Sequence, residues 1–183
     1  MVASAVGLTA CSVGASGSTG RVDGFGLPVG QPITRAELAA HAESHLFYPG
    51  STLVRSVGSN QVANPAAGEP DPAYAGAILT VSASSDQLYA FYAQQLLARG
   101  YHSVTDYRLS SQVSGQAWEV DQRVQVQVGI FDPALLQRDQ NITTAPQPGQ
   151  LVYEVVLVGY SKHPSGDAGP ATSAGVILPV LPR

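Results

Sequence analysis

Residues 123–131 read Arg-Val-Gln-Val-Gln-Val-Gly-Ile-Phe, and this alternation constrains the chain more than any other stretch. A strand turns successive side chains to opposite faces. Val124, Val126, Val128 and Ile130 therefore share one side, and Gln125 and Gln127 the other. The spacing predicts a half-buried antiparallel strand with one wet face. The stretch 151–160, Leu-Val-Tyr-Glu-Val-Val-Leu-Val-Gly-Tyr, has a different pattern. It is apolar on both faces except at Glu154, which predicts a strand at the centre of a sheet.

Other segments fit around these two. Ser51–Val57 and Tyr74–Ser82 read as strands paired antiparallel through a loop over 58–72, which holds prolines at 65, 70 and 72. Tyr101–Leu109 reads as a strand, 110–115 as a turn, and 117–120 as a short segment around Trp118. Residues 133–150 form a long connection with one short helical turn expected over Ala134–Arg138.

Two helices carry start signals. Thr34 with Glu37 three residues on is a capping box, predicting a helix over 35–46. Ser84 with Gln87 is a second, and Leu88, Phe91, Tyr92 and Leu96 recur at helical spacing up to Gly100. Helix, two strands, helix and further strands predict an α+β fold: a two-layer sandwich of a mainly antiparallel sheet with two helices packed on one face.

The N-terminus carries the most specific motif. Leu8-Thr9-Ala10-Cys11 runs aliphatic, small, small, cysteine, and it resembles a bacterial lipobox. That resemblance implies that Cys11 receives a diacylglycerol thioether and becomes the first residue of the mature protein. No Lys or Arg precedes Cys11, so the expected basic n-region lies upstream of Met1. Residues 12–33 are rich in Gly and Ser and read as a flexible tether. Arg supplies most of the basic residues, and Ala, Gly and Val are abundant. With the lipobox, this usage makes the chain similar to the small lipoproteins of actinobacteria. The expected organisation is a signal remnant with lipobox over 1–11, tether over 12–33, globular domain over 34–160, and a flexible tail over 161–183. The tail ends on an apolar run, Gly175-Val-Ile-Leu-Pro-Val-Leu-Pro-Arg183, which could dock on the sheet edge or on a partner.

Composition excludes several classes. The net charge of −4 with scattered Arg argues against nucleic acid as a partner. One cysteine excludes an internal disulfide framework and any multi-cysteine metal site. No apolar run approaches the ~20 residues a membrane-spanning helix needs.

Catalytic and metal motifs are weak. His41 and His45 lie four apart with Glu43 between, which lacks the His-Glu-x-x-His order of zinc proteases. His102 and His163 offer no third ligand at a telling spacing, so no metal is expected. Asp86, Asp106, Asp121, Asp132 and Asp139 show no pairing, and Asp86 reads as a first-turn helix carboxylate. No Gly-x-Ser-x-Gly elbow occurs. Gly24-Phe-Gly26-Leu-Pro-Val-Gly30 lacks the Lys and hydroxyl of a phosphate loop and reads as tether. Trp118 and the tyrosines at 89, 92, 101, 107, 153 and 160 read as core filling between helix and sheet. Asn141-Ile-Thr143 matches a glycosylation acceptor, without meaning in a bacterial lipoprotein.

The expectation is a lipid-anchored, extracytoplasmic cell-envelope module that binds or scaffolds, with no catalysis and no cofactor. It would meet the membrane through lipid on Cys11 and meet an envelope protein partner. The alternative is a soluble interaction domain using the sheet face around Gln125 and Gln127, the sheet edge or the apolar tail. A third reading is a hydrolase-type enzyme, or a small-ligand binder, with a site built from the 58–72 and 133–150 loops.

Overall fold

The computed structural model describes residues 22–65, 70–110, 113–121, 123–132, 134 and 146–160. Leu8, Thr9, Ala10 and Cys11, most of the 133–150 connection and the tail over 161–183 lie outside the described residues.

The chain runs α1 (Arg35–Ala40), β1 (Thr52–Ser59), β2 (Ala73–Val81), α2 (Ser85–Leu97), β3 (His102–Ser110), β4 (Val113–Glu119), β5 (Val124–Phe131) and β6 (Leu151–Gly159). The six strands form one sheet in the order β1-β2-β6-β5-β4-β3, with every neighbouring pair antiparallel. The final strand, β6, is inserted between β2 and β5, where its two apolar faces are both covered. Strand β4 begins at Val113, inside the stretch read as a turn. Its ladder to β5 continues through Ser114, Gly115 and Gln116, which have little strand propensity of their own.

Both capping boxes form. Thr34 Oγ1 accepts from Glu37 N, and the Glu37 carboxylate accepts from Thr34 N at 2.7 Å. Ser84 and Gln87 do the same at the start of α2. The first helix is nevertheless shorter than 35–46. At His41 the backbone turns extended, with ψ 146°, and Ala42–His45 forms a separate 3-10 turn. Ser44 Oγ donates to the carbonyls of His41 and Ala39, so the polar side chain takes over carbonyls that a continuing helix would use. Among the described residues α2 is thus the one helix longer than two turns, and the fold is mostly sheet.

One face of the sheet carries the larger apolar cluster. It gathers Ala73, Ala75, Ala77, Leu79 and Val81 of β2, Tyr153, Val155 and Leu157 of β6, and Val124, Val126 and Val128 of β5. Leu38 of α1 and Leu88, Tyr92 and Leu96 of α2 belong to it and are fully buried. Gly100, at φ 85°, lets the chain leave α2 for β3.

Residues 22–33 are part of this folded body, not tether. Val22 bridges to Pro28, and Phe25, Leu27 and Ile33 are buried in the first-face cluster. Asp23 Oδ1 accepts from the N–H groups of Phe25 and Leu27, closing the loop that resembles a phosphate cradle. Its other oxygen takes Arg123 Nη1 at 2.6 Å, with both side chains buried. Arg123 also donates to the carbonyls of Pro28 and Gln31. Three apolar anchors and a buried ion pair outweigh the glycine content that made the segment read as loose.

Candidate functional site

The opposite face of the sheet is built differently. Its apolar cluster is Val57, Ile78, Phe131, Val152, Val156 and Val158, with Val54, Tyr74 and Tyr160 at its margin. Every one of these is a sheet residue except Tyr160, which directly follows β6. No described helix contributes to this second cluster.

Polar side chains cross the same face. Gln125 Nε2 donates to Glu119 Oε2 at 3.1 Å, and Gln127 Nε2 donates to Gln125 Oε1 at 3.2 Å. The Tyr160 hydroxyl donates to Gln125 Oε1 at 3.3 Å. At the β3 end His102 Nε2 lies 3.3 Å from Glu119 Oε1. The ladder runs from the covered centre of the sheet to His102, whose side chain is 61% exposed. The pattern of 123–131 predicted a wet face at Gln127, but that residue is buried, only 3% exposed. Its amide is accommodated by partners within the ladder rather than by water. Burial also pushes the Tyr160 hydroxyl above its ordinary pKa, against the hydrogen bond from Gln127, with the Glu119 charge adding to the rise.

Glu154 stands at the centre. In register it lies between Ile78 of β2 and Gly129 of β5, with Val152 and Val156 two residues away along its own strand. It is 4% exposed, and among the described residues no hydrogen bond or ion pair joins its carboxyl. Burial pushes its pKa from 4.5 up to about 8, and the Arg55 charge pulls the other way. Arg55 is in register with Ile78 on β1, so its backbone is two strands from Glu154. That places the two backbones about 10 Å apart. The penalty for burying a charge is several kcal/mol, so desolvation wins. At neutral pH the carboxyl is mostly protonated and offers an O–H donor.

The residues singled out from the sequence are placed elsewhere. His41 stacks on Phe25 with ring centroids 3.9 Å apart, and His45 Nε2 sits 3.1 Å from Ala39 O. The break at His41 removes the shared helical face that the His41 and His45 spacing would need. Among the described residues no group of three or more His, Cys, Asp or Glu comes together. Asp86 occupies the first turn of α2, and Asp132 caps a turn through Ala134 N. Asp121 Oδ1 accepts from Arg123 N, while its Oδ2 is buried without a partner. Asp139, Asn141 and His163 lie outside the described residues. Trp118, Tyr92 and Tyr153 fill the first-face core. The Tyr92 hydroxyl donates to Leu46 O, and the Tyr153 hydroxyl meets Ser51 Oγ at 2.7 Å and accepts from Tyr48 N. These aromatic hydroxyls are thus engaged within the core.

No family model, no curated protein and no solved structure matches the chain.

Sequence reasoning registered Glu154 only as the exception in an apolar strand. Its importance depends on what lies across from it, and Gly129 and Ile78 are set by register. Glu119 and Arg55 were missed for the same reason, and Tyr160, read as core filling between helix and sheet, lies instead at the margin of the second-face cluster. A single carboxylate inside a run with two apolar faces is the signal that could have found the site.

Proposed function

We propose that this chain is a lipid-anchored module of the bacterial cell envelope that binds rather than catalyses. Its contact surface is the second face of the sheet. The anchor rests on the lipobox Leu8-Thr9-Ala10-Cys11 and on the Gly/Ser-rich residues that follow it. One acyl chain gives only marginal membrane binding, so a diacylglycerol on Cys11 is the smallest anchor that holds. In this reading the scaffold is a two-layer α+β sandwich, with both helices on the first face and the second face left for recognition.

One observation carries the binding role. The second face holds a buried carboxyl, that of Glu154, and a hydrogen-bonded ladder of Glu119, Gln125, Gln127 and Tyr160. A face needed only for stability would be apolar there, because burying an ionisable side chain costs desolvation that an aliphatic one does not. Groups of this kind, few and polar within an apolar surround, are what fix the orientation of a bound partner.

The face is favoured over the sheet edges as contact surface. The β1–β2 ladder has an irregularity between Leu53 and Arg55, and the β3–β4 ladder has one between Ser103 and Thr105 and one between Arg108 and Ser110. Both edge strands are thus irregular, which blunts an edge against strand addition.

The anchor is tested by intact mass and membrane partitioning in an actinobacterial host, with the upstream reading frame included. Wild type should gain the mass of a diacylglycerol and partition with membranes. Cys11→Ala should show neither. An unmodified, soluble wild type would leave the soluble interaction domain as the better reading.

A further inference from the structure

The hairpin at the start of the described chain carries two exposed valines. Val22 is 58% exposed and Val29 is 48% exposed. An antiparallel bridge joins Val22 to Pro28, the neighbour of Val29. Bridge partners have Cα atoms about 5 Å apart, so the two valine backbones lie within about 9 Å of each other. Gly24, Gly26, Gly30, Gln31 and Pro32 are exposed beside them and carry no charge. The one carboxylate of the hairpin, Asp23, is buried against Arg123.

The polar backbone here is already bonded. The N–H groups of Phe25 and Leu27 donate to Asp23 Oδ1, and those of Asp23 and Gly26 donate to the carbonyls of Leu27 and Asp23. The Pro28 and Gln31 carbonyls accept from Arg123. A Cβ added at Gly26 or Gly30 would meet nothing within 4 Å, so the backbone at both glycines opens outward. An uncharged, partly apolar surface with its backbone groups satisfied is one that a phospholipid interface accepts.

We propose that this hairpin is the membrane-facing surface of the domain, with Val22 and Val29 seated at the headgroup level of a phospholipid bilayer. The proposal rests on the reading of Cys11 as the lipid anchor and adds the orientation of the domain. Ten residues separate Cys11 from Val22, and fully stretched they span at most about 40 Å. Because residues 22–33 are folded, the hairpin is the part of the fold nearest the anchor along the chain. Tethering makes its contact with the bilayer intramolecular, so a surface too weak to bind membranes alone is sufficient. Charge points the same way. Residues 12–36 hold Arg21 and Arg35 and only Asp23 as an acid, whereas the other twelve of the 13 acidic residues follow. Glu37, the first of these, is held by Thr34. An anionic phospholipid surface attracts the basic end of such a chain and repels the rest.

The hairpin lies at one end of the sheet. Arg123, which holds it, directly precedes β5, and the Arg123 carbonyl accepts from Tyr160 N where β6 ends. The strands thus run end-on to the bilayer, and the second face is left free of lipid, as its proposed role requires. Leu53 is the contrast. It is 53% exposed, comparable to the two valines, but it pairs with Leu79 at the other end of the sheet. Six residues of β2 separate Leu79 from Ala73, about 20 Å. A single exposed leucine there needs no partner to explain it.

The test uses the full chain, coupled through Cys11, its one thiol, to a maleimide phospholipid. The lipid is carried in nanodiscs of phosphatidylcholine and phosphatidylglycerol, some bearing gadolinium on the headgroup. Methyl NMR then reads the paramagnetic broadening. The methyls of Val22 and Val29 should broaden several-fold more than those of Leu53. Val22→Asp with Val29→Asp changes two exposed positions, so the core methyls of Leu88 and Val124 should hold their shifts while Leu53 and the hairpin region lose that contrast. Equal broadening of Leu53 and Val29 in the wild type would overturn the proposal. So would Val22 and Val29 shifts that grow with protein concentration without nanodiscs, since a second copy would then be the occupant. The coupling is chemical and does not depend on acylation in a cell. An unmodified Cys11 in the actinobacterial host would remove the anchor and this orientation with it, whereas a lipidated Cys11 with no contrast among the methyls would remove the orientation alone.

Discussion

Replacing Glu154 by Gln isolates the cost of the buried carboxyl. The folded chain keeps this proton up to about pH 8, whereas the ordinary value is 4.5. Between those values the folded state binds more protons than the unfolded one, so stability falls as pH rises. The loss begins near pH 4.5, reaches about 3 kcal/mol at pH 7, and levels off at about 5 kcal/mol above pH 8, at 1.36 kcal/mol per pH unit. That is a large part of the ~5–15 kcal/mol that holds a domain together. Gln has nearly the same shape and does not titrate. The difference between variant and wild type therefore removes every other ionising group from the comparison. Urea unfolding at pH 5, 7 and 9, followed by fluorescence of the single buried Trp118, measures it. The two proteins should unfold at nearly the same urea concentration at pH 5. By pH 9 the variant should unfold at about 2 M higher urea, taking a slope of about 2 kcal/mol per M. A difference in midpoint that stays constant from pH 5 to pH 9 would refute the reasoning, because it would mean that Glu154 is ionised in the folded state throughout.

Asp23→Ala should destabilise by about 3–5 kcal/mol, since it leaves Arg123 buried without its charge partner. The double replacement Asp23→Ala with Arg123→Met should recover part of that loss in the same unfolding assay. Gly76→Ala should cost about 3 kcal/mol or more, read as a drop in Tm. A Cβ there would clash with the Val155 carbonyl and sit 2.7 Å from Val156 Cα, both backbone atoms of the neighbouring central strand.

Much of the fold was legible because the local signals agree with the tertiary structure. Capping boxes at Thr34 and Ser84 mark both helix starts, and Leu88, Tyr92 and Leu96 define the buried side of α2. Period-two alternation located β5, and a run with two apolar faces placed β6 at the centre. What stayed illegible depends on partners far away in sequence. Asp23 and Arg123 lie 100 residues apart, and nothing local predicts their pairing. Phe25, Leu27 and Ile33 looked like tether because glycines surround them, yet buried apolar area counts for more than the flexibility of their neighbours. The stop of α1 at His41 follows from Ser44 turning back onto the chain, a competition that periodicity does not register. Of the candidate site, Gln125 and Gln127 were legible as residues of one face. The burial of Gln127 was not, because it depends on what lies over that face.

The position of Glu154 bears on whether the second face is more than packing. Strand β6 pairs on both sides, and its neighbours on this face are Val152, Val156 and Ile78. An aliphatic residue at 154 would fit the same surround with no group to desolvate, and replacing buried ionisable groups by apolar ones is often neutral or stabilising. Polar exceptions in an otherwise consistent strand are expected where function competes with stability. Above about pH 8, ionisation of Glu154 would place a charge in an apolar surround. Arg55, two strands away, is the nearest cation by register, and its charge favours the ionised form. A contact surface has a use for such a group, and a closed core does not.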